Sequence, residues 1–281
     1  MPTSLVLLIA FVQGVTEFLP VSSSGHLVLV WQGAELAGVP VDFDDPYSQR
    51  TIDVAAHVGT LLAVLLFYRA DMLSLLMGLM RSLRGDWQSA SAQKFWLLVL
   101  ASIPLVLAGA LWSVVMDGGL DRQLWVVGVA SIVFGLAIWW FDARMPTTLE
   151  EKDLTWRRAL VFGLFQVLAL IPGTSRSGIT MAAGRALGFS RQAGTKLALL
   201  LSVPAIAAAG SLQTGKLLMT APEQATDGLW QTATLVALMC AATAYVTLSL
   251  FTRFLPTTGF LPYVIYRVLL GMAVLTIAFA F

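Results

Sequence analysis

Six apolar stretches recur along the chain, and each is long enough to cross a lipid bilayer as an α-helix. A helix rises about 1.5 Å per residue, so about 20 apolar residues cover the roughly 30 Å of hydrocarbon in a bilayer. The predicted spans are residues 51–68, 95–115, 124–141, 191–214, 230–251 and 262–281. We expect turns between spans, for example at Gly118-Gly119 and at 256–259. The sequence therefore predicts an all-α integral membrane protein with about six transmembrane helices in one membrane domain, residues 1–281.

The composition agrees with a lipid environment. Charged residues make up 12% of the chain, against about a quarter in soluble proteins, and hydrophobic residues make up 58%. The net charge of +1 gives no reason to expect a nucleic-acid partner. Because the single cysteine, Cys240, lies in an apolar stretch, we expect a packed thiol. The N-terminal segment lacks the basic start of a signal peptide and becomes polar at Gln13 and Glu17, so we expect it to belong to the mature fold.

Two further apolar segments are each interrupted near the middle by a polar turn. The first segment, residues 5–31, is broken at 20–26, and the second, residues 159–187, is broken at 172–178. The helices on either side of each break are too short to cross a bilayer. Irregular backbone is tolerated at membrane depth only where it lines a cavity or is packed within protein. We therefore predict two re-entrant helix hairpins.

The two breaks resemble each other, which indicates a duplication of residues 1–141 in residues 155–281. Positive charge orients the copies, because cytoplasmic loops are enriched in Lys and Arg. Loops 69–94 and 142–158 carry four such residues each, whereas stretches 39–50, 116–123 and 215–228 carry one each. With the first two loops in the cytoplasm, the hairpins enter from opposite sides. This arrangement predicts an inverted-topology repeat whose two polar turns meet near the membrane midplane.

Ionisable residues inside a bilayer are costly, so they indicate function. Arg176 lies in a glycine-rich turn that opens a helix, where its donors and the free backbone N–H groups favour a phosphate. The turn at 22–25 supplies a second helix N-terminus, so the two turns together could hold a diphosphate. The expected substrate-binding residues are Gln13, Ser22, Ser24, Gly25, Gly173, Thr174, Ser177 and Gly178. The alternative is that these Ser and Gly residues only cap and tighten two hairpins.

His26 is the one imidazole in these turns, and its ordinary pKa suits proton transfer near neutral pH. It could act as a general base, as the nucleophile itself or in a structural role. Ser23 is the preferred hydroxyl nucleophile and Ser175 the second, and direct attack by water is a third possibility.

Glu17 could orient His26, balance Arg176 or hold a divalent cation. Gln13 lies one helical turn before Glu17 and faces the same way. Asp53 and His57 are also one helical turn apart, and for them we expect a local pair with a structural or peripheral role.

The segments at 13–26 (QGVTEFLPVSSSGH) and 172–178 (PGTSRSG) resemble the two signature motifs of the bacterial undecaprenyl-diphosphate phosphatase family, the bacitracin-resistance type. The resemblance implies a multi-pass enzyme of the bacterial inner membrane with a periplasm-facing site. Its reaction would be hydrolysis of undecaprenyl diphosphate to undecaprenyl phosphate, which recycles the lipid carrier for cell-wall synthesis. The catalytic residues that it implies are Glu17, Ser23, His26, Ser175 and Arg176, and a divalent cation, Mg²⁺ or Ca²⁺, accompanies the family.

One departure from the family pattern concerns the metal. Many members have Glu at the position of Gln13, so Glu17 is the only carboxylate here that could ligate an ion. An ion that arrives with the diphosphate fits better, because Mg²⁺ usually bridges phosphate oxygens and keeps several waters.

Two other functions compete with this interpretation. A polyprenyl-phosphate flippase or transporter would use the same midplane site, since broken helices in inverted repeats are common in transporters. A lipid phosphatase of the type-2 phosphatidic acid phosphatase class would need further Lys/Arg-rich and His-Asp motifs that we do not find.

Overall fold

The computed structural model describes residues 2–39, 46–115, 123–220 and 227–280, and within these ranges the chain is helical. The helices are α1 (Thr3–Thr16), α2 (Ser23–Leu36), α3 (Pro46–Phe67), α4 (Arg69–Leu83), α5 (Ala90–Val115), α6 (Leu124–Arg144), α7 (Trp156–Val167), α8 (Arg176–Ala186), α9 (Arg191–Thr220), α10 (Asp227–Thr258) and α11 (Leu261–Ala280). Short 3₁₀ turns occupy Glu151–Asp153 and Leu168–Leu170. The predicted all-α class is confirmed. The turn predicted at Gly118-Gly119 lies outside the described residues.

Six helices are long and apolar enough to cross a membrane, as predicted. Their apolar lengths are Tyr47–Phe67, Ala90–Trp112, Leu124–Arg144, Arg191–Leu217, Gly228–Thr258 and Leu261–Phe279. These lengths belong to α3, α5, α6, α9, α10 and α11. The protein is therefore a multi-pass membrane protein.

The turn predicted at 256–259 is wrong for its first three residues, which continue α10 to Thr258. A proline near the end of a helix removes only one backbone hydrogen bond. The hydroxyls of Thr257 and Thr258 also donate to the carbonyl of Phe254, at 2.8 and 3.1 Å. Only at Gly259, with φ of +61°, does the chain leave the helix.

The segment 69–94, predicted as a loop, contains helix α4. Its Asp71 carboxylate accepts from Lys94 of α5 at 3.1 Å and contacts Lys196 of α9 at 2.8 Å. Glu151 joins the same group of charges through both lysines. Helix α4 has 15 residues, too few to span a bilayer, so the hydropathy pattern that predicts spans does not reveal it.

The two polar turns lie between short helices, α1 with α2 and α7 with α8. Both pairs are fixed by close approach to a long helix. A Cβ at Gly14 of α1 would lie 1.8 Å from the Thr243 hydroxyl of α10, and one at Gly163 of α7 would lie 2.6 Å from the Ala101 carbonyl of α5. Each pair is thus the predicted helix hairpin in outline. That the pairs are re-entrant, and that 1–141 and 155–281 are inverted repeats, stay predictions.

The charges around Asp71 should give the fold a defined acid sensitivity. Burial favours a raised pKa for Asp71, but the hydrogen bonds from Lys196 and Lys94 outweigh it and hold the pKa below its ordinary value. A carboxylate with a lowered pKa stabilises the fold above its unfolded-state pKa of about 4, and the contribution is lost as pH falls through the folded-state pKa. Asp71→Asn should therefore cost roughly 1 kcal/mol at pH 7. Thermal unfolding in detergent should show this loss as a lower Tm.

The difference in Tm between Asp71→Asn and the parent protein should shrink below about pH 4. Glu35→Gln, a change at an exposed carboxylate, is the matched control and should leave Tm unchanged at both pH values. An equal Tm loss for Asp71→Asn at pH 7 and at low pH would contradict the charge-based account.

Candidate active site

The two polar turns share one backbone conformation. Ser22 and Ser175 have φ of 72° and 70°, and they are the two non-glycine residues with positive φ in the described ranges. Each caps the helix that follows: the Ser22 hydroxyl accepts from the Gly25 N–H at 3.4 Å, and the Ser175 hydroxyl accepts from the Gly178 N–H at 3.2 Å. A side chain held at such a φ costs about 1–3 kcal/mol, so surrounding contacts must hold both turns in place.

This shared conformation makes Ser23 and Arg176 equivalent, since each is the first residue of its helix. Both side chains bind the same carboxylate. The Ser23 hydroxyl donates to Glu17 Oε2 at 2.7 Å, and Arg176 Nη2 donates to Glu17 Oε1 at 2.9 Å. The turns also touch directly, because the Ser177 hydroxyl donates to the Leu19 carbonyl at 2.9 Å. The structure therefore brings both motifs to one site.

Glu17 is the centre of this cluster, with a side chain only 6% exposed. Its Oε2 also accepts from the Gln13 amide nitrogen at 2.9 Å, across one turn of α1. Of the three roles considered for Glu17, these contacts show the balancing of Arg176. The amide oxygen of Gln13 is buried and has no hydrogen-bond partner.

His26 is held by groups outside that cluster. Its Nδ1 lies 2.7 Å from the Ser22 carbonyl, and its Nε2 lies 2.5 Å from the Tyr266 hydroxyl of α11. A carbonyl can only accept, so Nδ1 carries the proton and, in the neutral ring, Nε2 is the acceptor. His26 also lines a groove of about 530 Å³ between α1 and α2, whose other walls are mostly apolar. The imidazole thus lies where this mostly apolar groove meets the polar turns.

The other predicted substrate-binding residues shape the two turns. The Ser24 hydroxyl lies 3.4 Å from that of Ser22, and Ser24 is exposed. The Ser177 hydroxyl lies 3.2 Å from that of Ser175. Thr174 is fully buried, and its hydroxyl has no partner. The Ser175 hydroxyl caps α8, whereas the Ser23 hydroxyl donates to the Glu17 carboxylate.

Arg267 of α11 is a site residue that the sequence analysis missed. Its side chain is 0% exposed. It donates to the carbonyls of Gly173 and Thr174 at 2.9 Å each, of Ser131 at 3.1 Å and of Pro20 at 3.4 Å. No carboxylate among the described residues forms an ion pair with it. The guanidinium therefore ties both turns to α6 and α11. A lone arginine inside the last apolar span was the available signal.

His57 of α3 contacts its own helix. Its Nδ1 donates to the backbone carbonyl of Asp53 at 2.8 Å, so the contact between the two residues is made through the main chain and not through the Asp53 carboxylate. The Cys240 thiol is buried as expected and donates to the Ala10 carbonyl at 3.2 Å.

The residues at this site do not fit a tightly held divalent cation. Both oxygens of Glu17 already accept from Arg176, Ser23 and Gln13. The unpaired amide oxygen of Gln13 offers one neutral ligand beside them. Within the described ranges there is no cluster of three or more His, Cys, Asp or Glu residues that could ligate a metal.

Comparison with known proteins gives the family. A family model described as bacitracin resistance protein BacA matches residues 6–273. The chain belongs to the BacA family. Three relatives of this family member are each named undecaprenyl-diphosphatase. The protein from Dinoroseobacter shibae is 41% identical over 278 residues, 98% of both chains. That from Ruegeria pomeroyi is also 41% identical over 278 residues and 98% of both chains. That from Ruegeria sp. strain TM1040 is 42% identical over 280 residues, 99% of this chain and 100% of the other.

Arg267 should be essential for the stability of this BacA-family fold. Arg267→Met removes donors from buried carbonyls in both turns, and leaving such groups unpaired costs about 1–3 kcal/mol each. We expect a loss of several degrees in Tm in detergent, measured by thermal unfolding. Arg253→Met, at an exposed arginine of α10, is the matched control and should unfold like the parent protein. A normal Tm for Arg267→Met would show that the turns do not depend on this guanidinium.

Proposed function

We propose that this protein hydrolyses undecaprenyl diphosphate to undecaprenyl phosphate and phosphate. The observation that carries the proposal is the convergence of Ser23 and Arg176, from two helix N-termini, on Glu17. The names of the relatives support the same reaction over nearly the whole chain. They do not favour the flippase alternative.

Arg176 and the two helix N-termini would hold the diphosphate. Arg176 uses one nitrogen on Glu17, and its planar fork offers further donors to a phosphate. Helix N-termini add backbone N–H groups and a favourable dipole for an anion. Since phosphoryl transfer depends mainly on positioning and charge stabilisation, these groups would provide most of the catalysis.

Ser23 would attack the terminal phosphorus. Its Oγ forms the new bond to phosphorus while the bond to the bridging oxygen breaks and undecaprenyl phosphate leaves. The Ser23 proton passes to Glu17 Oε2, which already accepts it in a 2.7 Å hydrogen bond. Arg176 stabilises the negative charge that moves to the leaving oxygen. Water would then hydrolyse the phosphoserine: its oxygen bonds to phosphorus as the bond to Ser23 Oγ breaks, Nε2 of His26 takes the water proton, and Glu17 returns its proton to Ser23 Oγ.

The lipid tail would occupy the groove between α1 and α2. This groove, of about 530 Å³, begins at His26 and continues past Leu29, Val30 and Val12. A second apolar groove of about 560 Å³ lies between α4, α5 and α9, but no residue of the proposed site lines it. Of these two grooves, the first is the one lined by a residue of the proposed site, His26, so we assign the tail to it.

We place the protein in the bacterial inner membrane, with the site facing the periplasm. The support is the loop charge pattern, in which segments 69–94 and 142–158 hold four Lys or Arg residues each. With these loops in the cytoplasm, the helix pair α1 and α2 enters from the periplasmic side as a re-entrant hairpin, and α7 with α8 enters from the cytoplasm.

The direct test is phosphate release from undecaprenyl diphosphate by the purified protein in detergent. Ser23→Ala should lower the rate at least about 100-fold, because the nucleophile is lost. Ser249→Ala, at a partly exposed serine of α10 outside the proposed site, is the matched control and should keep the parental rate. Acid quenching during turnover should trap a phosphoserine in the parent protein. An active Ser23→Ala variant would refute Ser23 as the nucleophile, and an inactive parent protein that still binds the lipid would favour transport.

Gln13→Glu should create a dependence on divalent cations that the parent protein has only weakly. It places a second carboxylate one helical turn from Glu17, and paired carboxylates with phosphate oxygens suit Mg²⁺. Phosphate release measured against free Mg²⁺, after treatment with a chelator, should show a steeper dependence in the variant. Equal dependence in both proteins would remove the link between this position and a metal. A cation that accompanies the diphosphate, Mg²⁺ or Ca²⁺, is the form of metal use that we propose.

A further inference from the structure

Tyr266 of α11 reaches the imidazole that the proposed reaction needs. Its hydroxyl lies 2.5 Å from His26 Nε2, and the two ring planes are nearly parallel, 4° apart, with centroids 5.6 Å apart. The two residues are 240 positions apart in the chain. The contact therefore exists only because the fold brings α11 against the turn before α2.

The contacts on the imidazole determine which nitrogen can accept a proton. The Ser22 carbonyl, 2.7 Å from Nδ1, requires a proton on that nitrogen. In the neutral ring, Nε2 then carries the lone pair, and the Tyr266 hydroxyl is its donor. Both ring nitrogens are thus engaged, which fixes the rotation of the ring about its side-chain bonds.

The packing of Tyr266 does not explain why its hydroxyl points at His26. The side chain is 44% exposed, so little burial is gained there. Its neighbour Arg267 is fully buried and bound to the carbonyls of Gly173 and Thr174, which fixes the position and rotation of α11. The phenol is consequently presented to the imidazole from a rigid support.

We infer that Tyr266 is a positioning residue, whose hydroxyl holds the His26 ring in the orientation that keeps Nδ1 protonated and leaves Nε2 as the nitrogen that can accept a proton. The catalytic consequence rests on the proposed function, in which Nε2 takes a proton from the attacking water. The hydroxyl sets the orientation of the ring before substrate binds, so that the attacking water finds Nε2 aligned as its acceptor. A base that is misplaced by about 1 Å can lose up to about 100-fold in rate, so positioning of this kind has a measurable effect.

The hydrogen bond itself can be tested without any activity measurement. The chain has two histidines, so ¹⁵N-histidine labelling in detergent micelles gives two imidazoles, and His57→Gln leaves only His26. An unprotonated nitrogen that accepts a hydrogen bond resonates upfield of one with a free lone pair. Tyr266→Phe keeps the ring and removes the hydroxyl, so the Nε2 resonance should move downfield. An unchanged resonance would show that the bond does not form and would overturn the inference.

The positioning role is tested by the kinetics of phosphate release. Tyr266→Phe should lower kcat about 10-fold and leave KM and Tm near the parental values, since the diphosphate contacts are unchanged. Tyr263→Phe, one helical turn earlier in α11 with its ring against Phe251, is the matched control and should keep the parental kcat. If the parent protein is active and Tyr266→Phe has the same kcat, the positioning role is refuted. If the parent protein has no activity, the proposed function fails, while the resonance still reports the hydrogen bond.

Discussion

A buried guanidinium that forms no ion pair within the described residues holds this structure together at its centre. Placing a charge in a low-dielectric interior is costly, and the carbonyl dipoles around Arg267 compensate for that cost. The same bonds solve a second problem, because turns between helices leave carbonyl groups without helical partners. One side chain thus satisfies the Pro20 carbonyl in the first turn and the Gly173 and Thr174 carbonyls in the second. The geometry of every candidate catalytic group depends on these turns.

A second buried arginine, Arg185, is stabilised in a different way, by a carboxylate. Arg185 of α8 is 1% exposed and donates to the Asp142 carboxylate at 2.9 Å, which also accepts from Arg191. That pairing neutralises charge and anchors the far end of α8. At the site end of the same helix, Arg176 shares Glu17 with Ser23 and Gln13, so its charge is balanced but its fork is only partly used. Arg176, whose guanidinium is only partly used, is therefore able to exchange Glu17 for an arriving anion.

Much of the fold and part of the site could be predicted from the sequence. Hydropathy gives the six spans because their length is set by the bilayer. The meeting of the two turns that carry Ser23 and Arg176 was predictable, since polar Ser/Gly turns in apolar surroundings need hydrogen-bond partners. Tyr266 and Arg267 were missed because neither lies in a motif, and their partners are set by how α11 packs in three dimensions. Helix α4 was missed because its apolar face is too short to span a bilayer, and its partners Lys94 and Lys196 are distant in sequence.

The position of Arg267 in the chain has a consequence for biosynthesis. Its acceptors lie in residues 20, 130, 131, 173 and 174, all of which leave the ribosome before α11 does. Until α11 is inserted, the carbonyls in both turns lack Arg267 as a donor, and the turn before α8 is not yet tied to the bundle. Assembly of the site is therefore a late event in synthesis, set by the entry of the final described helix.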